Sequence, residues 1–189
     1  NPGTVRGLGP CSSNFPPSLT LDLPGLVGIL GFGAAFVTGV NSPKPSPIKV
    51  DIWSDVACPW CFIGKRRFEQ ALAKWDGEVE VEFHSFELAP DTPVDFAGSE
   101  VDFLADYKGM EPDQVRQMLN QVAEMASGEG LAYDFDALQH TKTLLAHEAL
   151  HRAKSLGLQA ELKERLLSAY FEQGRHIGRV DELVELAAE

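Results

Sequence analysis

Two cysteines separated by two residues are the part of this sequence best suited to chemistry. Cys58-Pro59-Trp60-Cys61 follows a short alternating segment and precedes an amphipathic one, so it is predicted to join a strand to the start of a helix. There the first sulfur faces free backbone N–H groups and the positive end of the helix dipole, which stabilise a thiolate. We therefore expect Cys58 to attack disulfides and Cys61, one helical turn later, to resolve the mixed disulfide.

The two residues between the cysteines belong to the predicted catalytic motif. Pro59 fits the first helical turn, where a missing N–H costs nothing. Trp60 either packs at the rim of a substrate groove or shields the thiolate. Both are expected to tune how strongly the thiolate is favoured, and therefore the redox potential.

A strand–helix–strand unit is predicted to position the motif. Residues 48–53 and 79–86 alternate with period two, as strands do. Trp53 and Phe83 are expected to be core residues of these strands. The helix between them is expected to run to about Trp75, and a right-handed crossover makes the strands parallel. Asp55, just before the motif, is a candidate to shuttle protons to Cys61.

The rest of the chain is predicted to be helical. A short helix over Val101–Tyr107 precedes a longer one from Pro112 to about Ser127. Apolar spacing then predicts three more helices: one that includes Leu144 and stops at Gly157, one that includes Leu162 and ends at Gly174, and one that begins at Val180.

Residues 1–47 differ in composition from everything after them. The segment is rich in proline and glycine, and no charge lies between Asp22 and Lys44. It is interpreted as an extension and linker, with a membrane anchor or a signal peptide as alternatives for residues 23–43. The first residue is not Met and the last residues stop within an amphipathic pattern, so we expect the sequence to be a fragment.

Charge and cysteine content exclude some functions. The formal net charge of -12 argues against nucleic acid or an anionic membrane surface as a partner. Three cysteines are too few for a disulfide-stapled scaffold, and Cys11 receives no role. A zinc knuckle needs a second pair of ligands, and no cysteine follows Cys61. The basic run 65–67 is interpreted as a solvated face, with thiolate stabilisation or the binding of acidic partners as the alternative.

One further pattern suggests a metal site. His147-Glu148-Ala149-Leu150-His151 satisfies H-E-x-x-H, which puts two imidazoles on one helix face. The extension that completes the longer metallopeptidase motif is missing, and no third ligand is apparent. We therefore predict that no metal is bound there.

The sequence resembles the FrnE-like branch of the DsbA family. The resemblance is carried by the run from Val50 to Glu69, by Phe86-Glu87-Leu88-Ala89-Pro90-Asp91, by Ala146-His147 and by the run from Ala169 to Ile177. One departure is Lys142-Thr143, where members of that family commonly carry Asn-Thr.

The resemblance implies an α/β, thioredoxin-like fold with a helical insertion domain. Residues 48–98 would then be the N-terminal half of the thioredoxin-like domain and residues 99–189 the insertion. The family continues with a cis-proline loop, two strands and a final helix, which are missing from this sequence. We therefore expect residues 1–189 alone to be poorly stable and weakly active.

The implied function is disulfide exchange on protein or small thiol and disulfide substrates. Two alternatives are a glutathione-dependent transferase or isomerase on the same fold, and a non-catalytic binding module. The first alternative is disfavoured because such relatives typically carry serine in place of Cys58 and lack the second thiol. No cofactor beyond the Cys58–Cys61 couple is expected, with glutathione as a candidate co-substrate. The expected location is cytoplasmic, or membrane-anchored or exported if residues 23–43 are a true hydrophobic segment.

Overall fold

The computed structural model describes residues 46–189, which form two strands and six helices. In chain order these are β1 (Ile48–Ser54), α1 (Pro59–Leu72), β2 (Val79–Ser85), α2 (Glu100–Lys108), α3 (Pro112–Gly128), α4 (Leu144–Lys154), α5 (Gln159–Glu172) and α6 (Val180–Ala188). The predictions for Cys11 and for the hydrophobic segment 23–43 lie outside the described residues, as does the predicted extension and linker 1–47 up to Pro45. Among residues 46–189, no helix is long and apolar enough to span a bilayer.

The two strands are parallel, as predicted. They pair in register from Ile48 with Val79 to Ser54 with Ser85. On the outer edge of β2, the side-chain amide of Gln159 satisfies the backbone of Phe83, donating to its carbonyl at 2.9 Å and accepting from its N–H at 3.3 Å. The first residue of α5 therefore acts as a hydrogen-bonding neighbour for the strand.

The two aromatic residues predicted for the strand core differ in burial. Phe83 is buried, as expected, but the prediction for Trp53 was wrong because its side chain is 64% exposed. The strand alternates, and Trp53 lies on the same face as the exposed residues Lys49 and Asp51. Its ring stacks on His84, with ring centroids 4.6 Å apart.

Helix α1 is shorter than predicted. It begins at Pro59, as the sequence indicated, but ends at Leu72. Trp75 lies in the following turn, where its N–H donates to the Leu72 carbonyl at 3.0 Å, and its side chain is exposed. The other predicted helices are present with ends that differ by one residue or a few, and Gly174 ends α5 in the left-handed conformation, with φ 61°.

Aromatic packing joins α1 to the helical region. Phe62 of α1 stacks on Tyr133 and contacts Phe171 of α5, with centroid separations of 6.0 and 6.4 Å. Tyr133 and Phe171 stack at 4.8 Å. Phe62 and Phe171 belong to one buried cluster that extends from Val56 to Leu186, and Tyr133 packs against it. The helix that carries the cysteines is therefore fixed against the helices that follow β2.

Of the basic run after the motif, only Arg67 is the exposed residue that the sequence suggested, and it pairs with Glu129 at 2.6 Å. Lys65 is 6% exposed and donates to Glu69 and Glu164, both at 2.5 Å. Arg66 reaches the other oxygen of Glu164, also at 2.5 Å. Since Glu164 belongs to α5, these cations link α1 to the helical region and are already neutralised.

Candidate functional site

The motif lies at the first turn of α1, as the sequence predicted. Cys58 is the N-cap residue with extended backbone (φ -102°, ψ 111°), and the Cys61 N–H donates to its carbonyl at 3.0 Å. Cys58 is 9% exposed and Cys61 is half-buried, and both are free thiols. Pro59 is half-buried and Trp60 is 53% exposed. The structure therefore brings all four predicted residues together at the N-terminus of one helix.

A hydrogen bond between the two thiols links their ionisation. It lowers the pKa of Cys61 to about 7 and raises the pKa of Cys58, because the sulfur that accepts the proton is favoured as a thiolate. A thiol proton rotates, so the same bond formed in the opposite sense favours Cys58. In either sense, the pair loses its first proton more readily than an isolated thiol.

The fixed groups around the sulfurs differ. At Cys58, burial raises the pKa, while the backbone N–H groups of Cys61 and Trp60 lower it. At Cys61, burial also raises the pKa, and the backbone of Asp55 and the charge of Lys163 lower it. A thiolate at Cys58 is thus stabilised by the N–H groups at the start of α1, and a thiolate at Cys61 is stabilised by the buried ammonium of Lys163.

Lys163 is a buried lysine that the sequence analysis did not identify. It is 1% exposed, and its ammonium lies 5.1 Å from the centroid of the Phe83 ring. Burial lowers the pKa of Lys163 to about 8, opposed mainly by the negative charge of Cys61 and Asp55. The spacing of residues in the sequence could have revealed its burial. Lys163 precedes Leu166 and Leu167 by three and four residues and so lies on the apolar face of α5.

Asp55 anchors the loop before the motif. Its Oδ1 accepts from the Val56 N–H at 2.7 Å and lies 3.1 Å from His147 Nε2, and its Oδ2 accepts from the Leu88 N–H at 2.7 Å. Burial alone would raise the pKa of Asp55, but the hydrogen bonds from His147, Leu88 and Thr143 lower it. A carboxylate held in this way is a weak base, which argues against the proton-shuttle role considered for Asp55.

Tyr133 holds the first turn of α1 in place. Its hydroxyl donates to the Pro59 carbonyl at 2.7 Å. Burial, followed by the negative charge of Cys58, raises the pKa of Tyr133, so the phenol stays protonated and keeps donating. Tyr133 lies in a loop, and no sequence pattern pointed to this contact.

The two histidines of H-E-x-x-H have separate partners. His147 approaches Asp55, whereas Nε2 of His151 lies 3.0 Å from Ser85 Oγ. In the part of the chain that the structure describes, the group with metal-like ligand spacing is Asp51, Glu82 and His84, which does not include either of them. The arrangement therefore gives no support to a zinc site on α4.

A cavity of about 320 Å³ lies beside the motif. Cys58, Pro59 and Trp60 form one wall. Most of the rest comes from α2, α3 and the loops after β2 and α3. We call this space the α2–α3 cavity.

Comparison with known proteins defines the class. Residues 49–189 match the DSBA-like thioredoxin domain, and the chain belongs to this family. It is 32% identical over 143 residues to the uncharacterized protein YwbO of Bacillus subtilis, a match that covers 75% of this chain and 66% of YwbO. It is also similar to the crystal structure of a probable DsbA oxidoreductase, SCO1869 from Streptomyces coelicolor, with 37% identity and a TM-score of 0.69 over 75% of this chain and 62% of that one. The chain thus spans slightly less than two thirds of the length of either relative. The thioredoxin-like fold and the DsbA family predicted from the sequence are confirmed.

Proposed function

We propose that this chain is the cysteine-bearing part of a thiol–disulfide oxidoreductase. The observation that carries the proposal is the position of Cys58 as N-cap of α1, with the Cys61 thiol within hydrogen-bonding distance. The hydrogen bond to Cys61 and burial raise the pKa of Cys58, and the backbone N–H groups of Cys61 and Trp60 oppose that rise. Membership of the DSBA-like family supports it. The same proposal includes the assignment to the FrnE-like branch. It also includes the assignment of residues 48–98 to the N-terminal half of the thioredoxin-like domain and of residues 99–189 to the helical insertion domain.

The reaction proceeds in two exchanges. The Cys58 thiolate attacks one sulfur of the substrate disulfide, forms a mixed disulfide, and releases the other sulfur as a thiolate that takes up a proton. The Cys61 thiolate then attacks the Cys58 sulfur, releases the second substrate thiolate, and leaves a Cys58–Cys61 disulfide. The substrate gains two electrons and the cysteine pair loses them. Reduction by two equivalents of a thiol such as glutathione restores the pair.

The substrates are protein or small disulfides, and the location is cytoplasmic. A reducing compartment keeps such a pair as thiols, ready for the exchange above. The net charge of -12 disfavours polyanionic partners. The equilibrium of the Cys58–Cys61 pair with glutathione would establish whether it acts as reductant or oxidant, because the same two exchanges run in either direction.

Cysteine variants test the proposal. Reduced wild-type chain should reduce insulin disulfides and Cys58→Ser should not, whereas Cys61→Ser should accumulate a mixed disulfide at Cys58. Cys11→Ser is the matched control and should behave as wild type. Trapping on Cys61 in Cys58→Ser, and none in Cys61→Ser, would reverse the assigned roles. Full turnover by Cys61→Ser with glutathione would favour a glutathione-dependent transferase, and no effect of either variant would favour a binding module.

A further inference from the structure

We propose that Asp51, Glu82 and His84 form a binding site for one divalent transition-metal ion of the zinc class. One ligand comes from β1 and two come from β2. None of the three residues lines the α2–α3 cavity beside the cysteines. The site is therefore separate from the cysteine pair, and the inference does not depend on the proposed function.

The candidate ligand atoms already lie close together. Nε2 of His84 is 2.8 Å from Asp51 Oδ1 and 3.7 Å from Glu82 Oε1. One ligand atom from each residue lies within 4.8 Å of the other two. Ligands that are about 2.0–2.1 Å from a tetrahedral zinc ion are about 3.3 Å from one another. Small side-chain shifts would therefore bring the three atoms to the distances that a shared ion requires.

Paired strands hold the three side chains on one face of the sheet. Asp51 pairs in register with Glu82, and His84 lies two residues further along β2, so all three side chains point to the same side. Phe83, between the two ligands of β2, points to the opposite side and is buried. Ligands on regular strands are held more precisely than ligands on loops.

Trp53 fixes the orientation of the imidazole. It is the register partner of His84, and the two rings stack with centroids 4.6 Å apart and an angle of 18° between their planes. The stacked imidazole directs Nε2 towards the carboxylates. An aromatic residue outside the ligand set thus holds the nitrogen ligand in the position that an ion would need.

A cation from another element already lies at the cluster. The ammonium of Lys154, in the last turn of α4, contacts Glu82 Oε1. This is the same oxygen that lies 3.7 Å from His84 Nε2. The position therefore attracts positive charge, and the ammonium competes with an ion for Glu82.

The ligand set selects the class of ion. One imidazole nitrogen with two carboxylate oxygens suits zinc and its neighbours, whereas magnesium and calcium prefer oxygen ligands alone. The hydrogen bond from His84 lowers the pKa of Asp51, and that from Lys154 lowers the pKa of Glu82, so both carboxylates are ionised at pH 7. The side chains of Asp51, Glu82 and His84 are 35%, 28% and 29% exposed, so water can complete the coordination.

Calorimetric titration with zinc tests the proposal. The parent chain has all three cysteines replaced by serine, because thiolates would also bind the ion. It should bind one zinc ion and unfold at a higher temperature when zinc is present. His84→Ala and Asp51→Asn should each weaken binding about 10-fold or more, since loss of even an outer-shell partner costs that much. The matched controls are His151→Ala and Glu80→Gln, at an exposed histidine and an exposed carboxylate outside the cluster, which should bind zinc as the parent does.

Removal of the competing ammonium supplies the second measurement. Lys154→Met should tighten zinc binding severalfold, and weaker binding would contradict the assigned geometry. Cobalt(II) supplies the third, because it should quench the emission of Trp53, whose ring stacks on the ligand His84. Most of that quenching should disappear in Trp53→Phe. Quenching that is unchanged in Trp53→Phe would place the ion elsewhere.

The alternative outcomes are distinct. No binding by the parent, or equal binding by the parent and His84→Ala, would mean an adventitious ion only and would overturn the proposal. Zinc that is lost in His147→Ala or His151→Ala instead would assign the ion to H-E-x-x-H and would also overturn it. Neither result bears on disulfide exchange, which the cysteine variants test separately.

Discussion

Replacement of Lys163 by methionine should stabilise the protein at neutral pH. Lys163 is 1% exposed, and burial lowers its pKa from 10.5 to about 8. At about 1.4 kcal/mol per pH unit, this difference corresponds to about 3 kcal/mol by which the folded state disfavours the charged lysine. Methionine has a similar length, carries no charge, and keeps a favourable contact with the Phe83 ring. We therefore expect Lys163→Met to raise the free energy of unfolding at pH 7 by up to about 3 kcal/mol.

The gain should depend on pH in a defined direction. Below pH 8, lysine 163 is charged in both the folded and unfolded wild-type chain, so the cost of burying the charge is fully present. Between pH 8 and pH 10.5 the unfolded state binds more protons, so wild-type stability rises with pH. The stability of Lys163→Met lacks this rise, and the two chains should converge towards pH 10.5.

Urea unfolding at pH 7 and pH 9.5 measures the effect. A Cys58→Ser/Cys61→Ser background keeps thiol ionisation out of the comparison. Because the Cys61 thiolate opposes the lowered pKa of Lys163, its removal should not diminish the gain. Lys74→Met, at an exposed lysine after α1, is the matched control. A Lys163→Met chain that is destabilised at pH 7, or whose difference from wild type is the same at both pH values, would refute the reasoning.

Lys163→Met should also raise the pKa at which the cysteine pair forms a thiolate. The charge of Lys163 lowers the pKa of Cys61, so in the unmodified cysteine background its removal should shift the thiolate titration to higher pH. Absorbance at 240 nm follows that titration directly. A merely structural lysine would leave the thiolate curve in place. Stabilisation of the fold together with a higher thiol pKa would show that Lys163 is retained for the cysteines.

Three shorter predictions concern the surroundings of the motif. Tyr133→Phe leaves the Pro59 carbonyl without its donor and should lower the free energy of unfolding by about 1–3 kcal/mol, measured by urea unfolding, while the exposed Tyr107→Phe should cost less. Asp55→Asn should lower the free energy of unfolding at pH 7 by about 1.5–3 kcal/mol, also measured by urea unfolding. The pKa of Asp55 in the folded state is below 3.8, so the stability that its charge contributes is lost as the pH falls through that lower value. The variant and the wild type should therefore converge in stability at that pH. Treatment with EDTA should leave insulin reduction unchanged. Stoichiometric zinc in the purified protein that is lost in His147→Ala would instead support a metal site at H-E-x-x-H.

Local patterns were sufficient to predict the unit that presents the cysteines. Period-two alternation located β1 and β2, and Pro59 marked the start of α1. Each of these signals depends on residues that are neighbours in sequence. The end of α1 was predicted too late because Trp75 continues the apolar spacing, although its ring lies in the turn and faces solvent. Spacing alone does not show whether an apolar residue has anything to pack against.

The contacts that adjust the motif come from residues far away in the sequence. Tyr133 meets Pro59 across 74 residues, and His147 meets Asp55 across 92. Such pairs depend on how the helices pack, and no single-sequence pattern encodes that packing. The histidine illustrates the consequence, because the H-E-x-x-H pattern suggested a metal whereas the imidazole serves the loop before the cysteines.

Two buried lysines near the motif differ in what their charges interact with. Lys65 and Lys163 are both almost fully buried, yet Lys65 has two carboxylates at 2.5 Å while Lys163 faces an aromatic ring. Lys65 is neutralised by its two carboxylates, so it links α1 to α5 and has little electrostatic effect on the sulfurs. The charge of Lys163 is stabilised mainly by the negative charge of Cys61 and Asp55, and the same attraction favours a thiolate at Cys61. Lys65 and Arg66 are therefore structural, and the cation that acts on the cysteines comes from α5.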